Sequence, residues 1–422
     1  MGFNGGKKPK RLVRGGTIAA LDVGSTKVCC FIARVDEQEQ IRITGVGHQI
    51  AAGIRAGAIV DMEAAETSIG AAVHAAEQMA EETIHEVVVN ISGGYPVSHT
   101  VNAEIGIGGA EISDGDIRRV LSHARSIQAG PDQALIHAFP VGFSVDDHRG
   151  IRDPKGMYGT RLGAQIHVIT AGAGSIRNLR NCAARCHLNL ESMVVSPYAS
   201  GLACLVEDEM QLGVACIDMG GGTTTISVFF EGQLVWTDSI PVGGAHVTND
   251  VARGLNTGVI HAERLKTLYG SAIVNAADER EIIDVPQIGD DDRPQTNPVP
   301  KSFLVRIIQP RLEEIFELVR SRLEQSGFGK LSGRRVVLTG GASQLPGTRD
   351  LAQLILDKQI RLGRPTRIRG LADANGGPAY ATAAGLLLHA VRTPAELSLI
   401  TQEAAAPSGF LGRVGLWLRE NL

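Results

Sequence analysis

The sequence predicts an α/β fold built around a three-strand unit that occurs twice, and three observations carry this. An apolar strand from Thr17 to Val23 meets a Gly24-Ser25-Thr26 turn, and Lys27 to Val35 then runs back. The same order returns at Val214 to Asp218, Gly220-Gly221-Gly222 and Thr223 to Phe230. Helical stretches follow each unit, as expected where helices cover the faces of a sheet.

In chain order, residues 1–16 are basic and glycine-rich. Ile41-Arg42-Ile43-Thr44 alternates as a third strand, a helix spans about 62–82, and Glu86 to Ile91 is a strand. Residues 95–175 differ in texture. They hold short strands (Ile136 to Phe139, Gln165 to Thr170) and a helix that opens with Ser113-x-x-Asp116 and runs toward Ile127. In the second unit Glu231-Gly232 marks a hairpin and Gln233 to Ile240 a third strand. Helices are expected near 245–255, 261–269 and 303–325. Residues 278–300, with Asp290-Asp291-Asp292 and four prolines, read as an exposed loop or ragged hairpin. Arg335 to Thr339 is a strand ending in Gly340-Gly341, and helices follow near 347–358 and 377–391. Residues 393–408 read as a linker before a last apolar segment.

The chain has 422 residues, with 41 Lys+Arg against 45 Asp+Glu, a net charge of −4. Near-neutrality argues against a dedicated nucleic-acid binder. The 43% hydrophobic content supports sizeable cores. No apolar run approaches the ~20 residues needed to span a bilayer. Lys7, Lys8, Lys10, Arg11 and Arg14 precede no apolar stretch, which argues against a secretory signal. None of the six cysteines forms a CxxC pair, so buried thiols in a reducing compartment are expected.

Each unit places a carboxylate, Asp22 or Asp218, at the end of an apolar strand. A glycine turn follows, whose free N–H groups can face an anion, with hydroxyls just beyond. No P-loop pattern occurs, and each turn leads into a strand where a dinucleotide turn leads into a helix. Two such hairpins can grip a triphosphate from both sides. Gly24, Ser25 and Thr26 would serve from one, and Gly220, Gly221, Gly222 and Thr223 from the other. Lys27 adds a point charge for a phosphate. Asp22 and Asp218 can hold Mg2+ through its waters, because Mg2+ takes few protein ligands. Asp218 is also the candidate for orienting a water through that ion. Either unit alone fits an ordinary glycine hairpin; the triple glycine and the repetition weigh against that. The third element, Val336 to Thr339 followed by Gly340-Gly341-Ala342-Ser343, would let backbone approach a flat base, and fits a plain strand–turn–helix equally well.

In this order the three elements resemble the actin/Hsp70/sugar-kinase superfamily: the first two its phosphate loops, the third its adenosine motif. Ser196 to Gly201 resembles its first connecting helix and Gly377 to Gly385 its second, where small residues let two helices cross closely. Ala262-Glu263-Arg264-Leu265-Lys266 resembles the helix that touches ribose and adenine through Glu263 and Lys266. The resemblance implies an actin-like two-lobed fold, each lobe a five-stranded sheet with helices, and ATP–Mg2+ between the lobes.

Actin and Hsp70 place their extra subdomain at a different point of the first lobe from residues 95–175. Gly156 to Leu162 followed by His167 to Thr170 resembles subdomain 1C of the FtsA family of bacterial cell-division proteins; the PilM pilus family has a similar subdomain. The tail is a second pointer. Phe410, Leu411, Val414, Trp417, Leu418 and Leu422 share an arc of roughly 140° at ~100° per residue. Such a helix either docks on the protein's own core or lies in a membrane interface, and the linker before it favours a membrane or partner surface. FtsA proteins end in such a segment, and PilM proteins are not expected to.

The resemblance implies subdomain 1A over 17–94 and 176–212 with 377–392, and an SHS2-like subdomain 1C over 95–175. It implies 2A over 213–242 and 336–376, 2B over 243–335, a linker at 393–408 and a membrane-targeting helix at 409–422. It further implies a protein on the cytoplasmic face of the membrane at the division site that self-associates into filaments and tethers the FtsZ polymer. The FtsZ C-terminal peptide would dock on subdomain 2B, where Arg306 and Arg311 either pair with its carboxylates or are solvated surface charges. Later divisome proteins would bind subdomain 1C. ATP hydrolysis is expected to be weak or absent, since no dedicated water-positioning group stands out. The alternatives are a PilM-like adaptor or a superfamily phosphotransferase; a catalytic carboxylate motif and substrate pocket for the latter are not evident.

Overall fold

The structure, a computed structural model, describes residues 16–125, 130, 132–288, 296–371 and 375–392. The basic arm, the linker and the terminal segment carrying Phe410, Trp417 and Leu422 lie outside the described residues.

β1 (Thr17–Val23), β2 (Lys27–Val35) and β3 (Ile41–Ile50) form an antiparallel meander. A two-residue-per-strand hairpin, β4 (Ile54–Arg55) and β5 (Ala58–Ile59), leads to α1 (Met62–Ala80) and then β6 (Glu86–Ile91). Asp61 caps α1 by accepting from the N–H groups of Glu63 and Ala64. Its buried stripe, Ala65, Ser68, Ile69, Ala72, Val73 and Ala76, follows the helical period and lies on β3. β3 runs six residues past the expected Thr44. Gly45 and Gly47 look like a break in the sequence, but a Cβ at either would overlap the α1 carbonyls of Ala76 or Ala72. These glycines record the closeness of helix and strand, not an end to pairing.

The chain then leaves this sheet for a separate antiparallel one. β7 (Val97–Gly106), α2 (Asp114–Arg125), β8 (Gln133–Val145), β9 (His148–Ile151) and β10 (Arg161–Gly172) give the strand order β7-β10-β8-β9. β8 and β10 are much longer than their apolar centres suggest. Two register shifts in their pairing, at Gln165/Ile166 and Ile169/Thr170, break the alternation that a sequence reading relies on. Val101, Ile112, Val120, Leu121 and Leu162 form a separate small core.

α3 (Ala173–Arg185), β11 (Asn189–Val195) and α4 (Ser196–Cys204) return to the first sheet, whose order is β11-β6-β1-β2-β3. After α5 (Glu207–Leu212) the second unit begins with β12 (Val214–Met219), β13 (Thr224–Phe230) and β14 (Gln233–Ile240). α6 (Gly244–Gly254), α7 (Val259–Tyr269), the antiparallel pair β15 (Ile282–Pro286) and β16 (Thr296–Pro300), and α8 (Lys301–Gln325) follow. β17 (Arg335–Thr339), α9 (Thr348–Leu356), β18 (Gln359–Leu362) and α10 (Ala381–Arg392) complete the described fold.

The second sheet has the order β14-β13-β12-β17-β18. It matches the first strand for strand: an antiparallel meander on one side of the unit's opening strand, two parallel strands on the other. The fold is therefore a duplicated, actin-like α/β architecture with the β7–β10 sheet inserted in its first half. α4 and α10 cross between the halves so closely that Gly385 sits on the backbone of Ala199.

The inserted sheet is also tied to the second half. His167 donates from Nδ1 to the Leu234 carbonyl of β14 (3.0 Å), which leaves Nε2 to accept from the Ser98 hydroxyl at 2.5 Å. Ser98 Oγ in turn accepts the Thr237 N–H at 3.2 Å. Burial pushes the His167 imidazole down to about 3, so it is neutral at physiological pH.

Candidate nucleotide cleft

The two opening hairpins turn in the same way. Gly24 N–H donates to the Lys27 carbonyl at 3.0 Å, and Gly220 N–H to the Thr223 carbonyl at 2.9 Å. Each four-residue turn leaves its central N–H groups outside the sheet ladder. The turns face each other across the halves and touch. A Cβ at Gly221 would overlap the Thr26 side chain, and one at Gly222 would overlap Ser25 Oγ. Ser25 Oγ also accepts the N–H of Gly57 at the β4–β5 turn (2.9 Å), which closes that side.

Behind the turns lies a cavity of about 320 Å3, at the small end of the range for small-molecule sites. Gly24, Ser25, Thr26 and Lys27 line it from the first half. Gly220, Gly221, Gly222, Thr223, Gly340 and Gly341 line it from the second, and Asp22 and Asp218 form its floor. Glu263 and Lys266 are not on this wall. Lys266 Nζ donates to Glu263 (2.6 Å), Thr248 (2.8 Å) and the Gly244 carbonyl (3.4 Å), and Gly244 N–H bonds the Gly220 carbonyl at the second turn.

Sequence reasoning missed part of the wall. Asn90, in the apolar run of β6, accepts the Val23 N–H at 2.7 Å and donates to Ser196 Oγ at 3.1 Å. It fixes the backbone where β1 enters its turn. A lone Asn in Val87-Val88-Val89-Asn90-Ile91 was the available signal, because a buried amide needs partners. Thr382 and Thr225 also line the cavity, and Ser200 stands beside Thr382.

Charge in the cavity is unbalanced. Asp22 is pushed up to about 7, first by burial; Lys27 works against the rise and Asp218 adds to it. Burial likewise raises Asp218, opposed by hydrogen bonds from Ser200 and Thr382 and by Lys27. Burial lowers Lys27, whose Nζ donates to the Ala379 carbonyl (2.9 Å) and lies 3.3 Å from the centroid of the Tyr380 ring. Among the described residues no cluster of three or more His, Cys, Asp or Glu forms a metal cage. Two carboxylates with neighbouring hydroxyls are a hard-oxygen donor set. It fits Mg2+, which takes one or two carboxylates and keeps water or phosphate for its remaining positions.

Comparison with known proteins gives this geometry its context. The family model described as Cell division protein FtsA matches residues 215–385, and that of the SHS2 domain inserted in FTSA matches residues 93–170. The chain is 46% identical to Cell division protein FtsA of Agrobacterium fabrum, over 98% of this chain and 97% of that one. The chain belongs to the FtsA family. It is also 30% identical to Cell division protein FtsA of Escherichia coli K12, over 96% of this chain and 97% of that one. Among solved structures, the PilM-PilN type IV pilus biogenesis complex superposes with a TM-score of 0.63 at 16% identity, covering 89% of this chain and 99% of that one. MreB5 of Spiroplasma citri bound to ADP gives 0.54 at 15% identity, covering 89% and 96%. These distant neighbours share the actin-like fold. The FtsA relatives make this chain an actin-like cell-division protein, and the inserted sheet coincides with the SHS2 match. No helix among the described residues is long and apolar enough to cross a membrane.

Proposed function

We propose that this FtsA-family chain binds ATP with Mg2+ between its two glycine turns, self-associates, and tethers FtsZ polymer to the cytoplasmic face of the membrane at the division site. The observation that carries the nucleotide is the meeting of two equivalent turns over a cavity floored by Asp22 and Asp218 and flanked by Lys27. The turns supply N–H groups and hydroxyls for phosphate oxygens, and the two acids take the metal through its waters. Gly340 and Gly341 face the base side, and Lys266 and Glu263 reach the ribose and adenine. Asp22 and Asp218 would hold Mg2+ through its waters, and the ion would supply charge neutralisation for the phosphates, with Asp218 the residue placed to orient a water. The proposal requires binding, not rapid turnover.

The FtsZ tail docks on the surface around α8. Both proposed contacts are engaged within the chain: Arg306 with Glu279 at 2.5 Å and Arg311 with Asp250 at 2.6 Å. An acidic peptide binds there by exchanging with these carboxylates. Later division proteins bind the inserted sheet, and the segment 409–422 supplies the lipid contact through its apolar face. One copy of such a helix binds reversibly, and a filament holds by avidity.

Gly221→Asp tests the cleft. A carboxylate placed against Thr26 repels phosphate, and titration with a fluorescent ATP analogue is expected to show binding lost; wild-type affinity in the variant refutes the placement. Trp417→Glu tests the anchor, with flotation on anionic vesicles lost and ATP binding kept. Unchanged flotation removes the anchor from the proposal.

A further inference from the structure

We infer that Ser200 and Thr382 are positioning residues for divalent-cation binding: together they hold the Asp218 carboxylate so that one oxygen is fixed and the other faces the cleft. The inference rests on the nucleotide reading above and names residues that neither the glycine turns nor the family match assigns.

Asp218 is nearly buried, and its two oxygens have different surroundings. Oδ2 accepts from the Ser200 hydroxyl and from Thr382 Oγ1, the latter at 3.0 Å. The two hydroxyls lie 2.9 Å apart. Each carries one proton, and both protons can point at Oδ2. Among the described residues Oδ1 has no such partner, and it faces Gly340, where any Cβ would overlap it. The carboxylate is thus oriented by one oxygen and offered by the other. A second buried oxygen belongs to the same wall. Thr225, paired with Asp218 across β12 and β13, is buried and lines the wall, and its Oγ1 has no hydrogen-bond partner among the described residues.

The origin of the two hydroxyls matters. Ser200 belongs to α4 and Thr382 to α10, and these are the helices that cross at Ala199 and Gly385. Each hydroxyl sits within three residues of the crossing. Asp218, from the second half, is therefore held by both helices at once. Separation or rotation of α4 and α10 pulls at least one hydroxyl off Oδ2 and frees the carboxylate to turn. Cation affinity then depends on how the halves are disposed.

The test uses the full chain and a fluorescent ATP analogue, titrated with Mg2+ and again in excess EDTA. Wild type is expected to bind more tightly with Mg2+. Thr382→Val keeps the shape and removes the hydroxyl. It is expected to lose about tenfold of the Mg2+-dependent gain, the scale of one hydrogen bond to a charged group, with a smaller change in EDTA. Thr382→Ser is expected to retain the gain. Ser200→Ala, measured in the same way, provides a second variant should Thr382→Val fail to fold. A Mg2+-dependent gain within twofold of wild type in both hydroxyl-removing variants overturns the inference. So does an equal loss with and without Mg2+, which marks a merely structural role, and so does wild-type binding indifferent to Mg2+. A wild-type chain that binds no ATP under either condition overturns the nucleotide reading itself, a distinguishable result.

Discussion

Adding one methyl group at Gly385 tests the claim that the two halves are joined by a backbone-to-backbone crossing. A Cβ built there lies 1.8 Å from the Ala199 carbonyl oxygen and 2.8 Å from Ala199 Cα. These are main-chain atoms of α4, so no side chain can rotate away. Relief requires the helices to part by roughly 1.5 Å, enough to reach ordinary van der Waals separation. Overpacking of this kind costs ~1–3 kcal/mol, and ~1 kcal/mol returns because Ala is the better helix former. With two rigid backbones opposed, the upper end applies, and Gly385→Ala is expected to lose about 2 kcal/mol net. Gly70 of α1 supplies the control, because a Cβ there meets nothing within 4 Å. Gly70→Ala is expected to gain up to about 1 kcal/mol. Thermal and urea unfolding of the two variants side by side reads opposite signs from the same chemical change. A Gly385→Ala chain as stable as wild type would show that the helices are not pressed together as described.

Two further predictions concern charge. His389 of α10 is buried against His137 and Tyr198, and burial holds it down to about 3. The unfolded chain takes up that proton near pH 6.5, so this contribution to stability is complete above about 6.5 and lost as pH falls toward 3. Relative to wild type, His389→Leu is expected to gain about 1.4 kcal/mol between pH 7.5 and 5.5 in urea titrations, and parallel curves refute it. Arg361 pairs with the buried Glu209 through two hydrogen bonds, at 2.7 and 2.5 Å, and also bonds the Cys204 carbonyl. Burial would raise the Glu209 carboxyl, but Arg361 and the Val206 N–H hold it below its ordinary value. Arg361→Met strands that carboxylate and is expected to cost about 3 kcal/mol in thermal unfolding, part of it recovered when Glu209→Gln is added. A loss of under about 1 kcal/mol would show that the pair contributes little.

Much of the scaffold is local and so was visible beforehand. β1, β2, β6 and β17 end where their apolar runs meet glycine or polar residues, β14 ends at Pro241, and both turns are marked by an acid and glycine at a strand end. Other features depend on distant neighbours. β18 is four mixed residues, Gln359-Ile360-Arg361-Leu362, and becomes a strand because β17 offers a parallel edge. Thr382 lies 164 residues from Asp218 and Ser200 lies 182 from Thr382, so no spacing rule could bring them together. Their only trace was a hydroxyl inside a run of small residues, which reads as helix packing. Asn90 and His167 are alike in this: each is a polar residue in an apolar strand, and only the tertiary partner explains it.

The link from His167 and Ser98 to β14 makes the chain a triangulated frame. One side is the crossing of α4 and α10, the second is the covalent path from the first sheet into the insertion, and the third is this set of buried hydrogen bonds to the second sheet. Two bodies on a bare pivot swing freely, whereas a brace across them permits only movements that bend or break it. A swing of one half against the other must therefore tilt the inserted sheet or break its hold on Leu234 and Thr237.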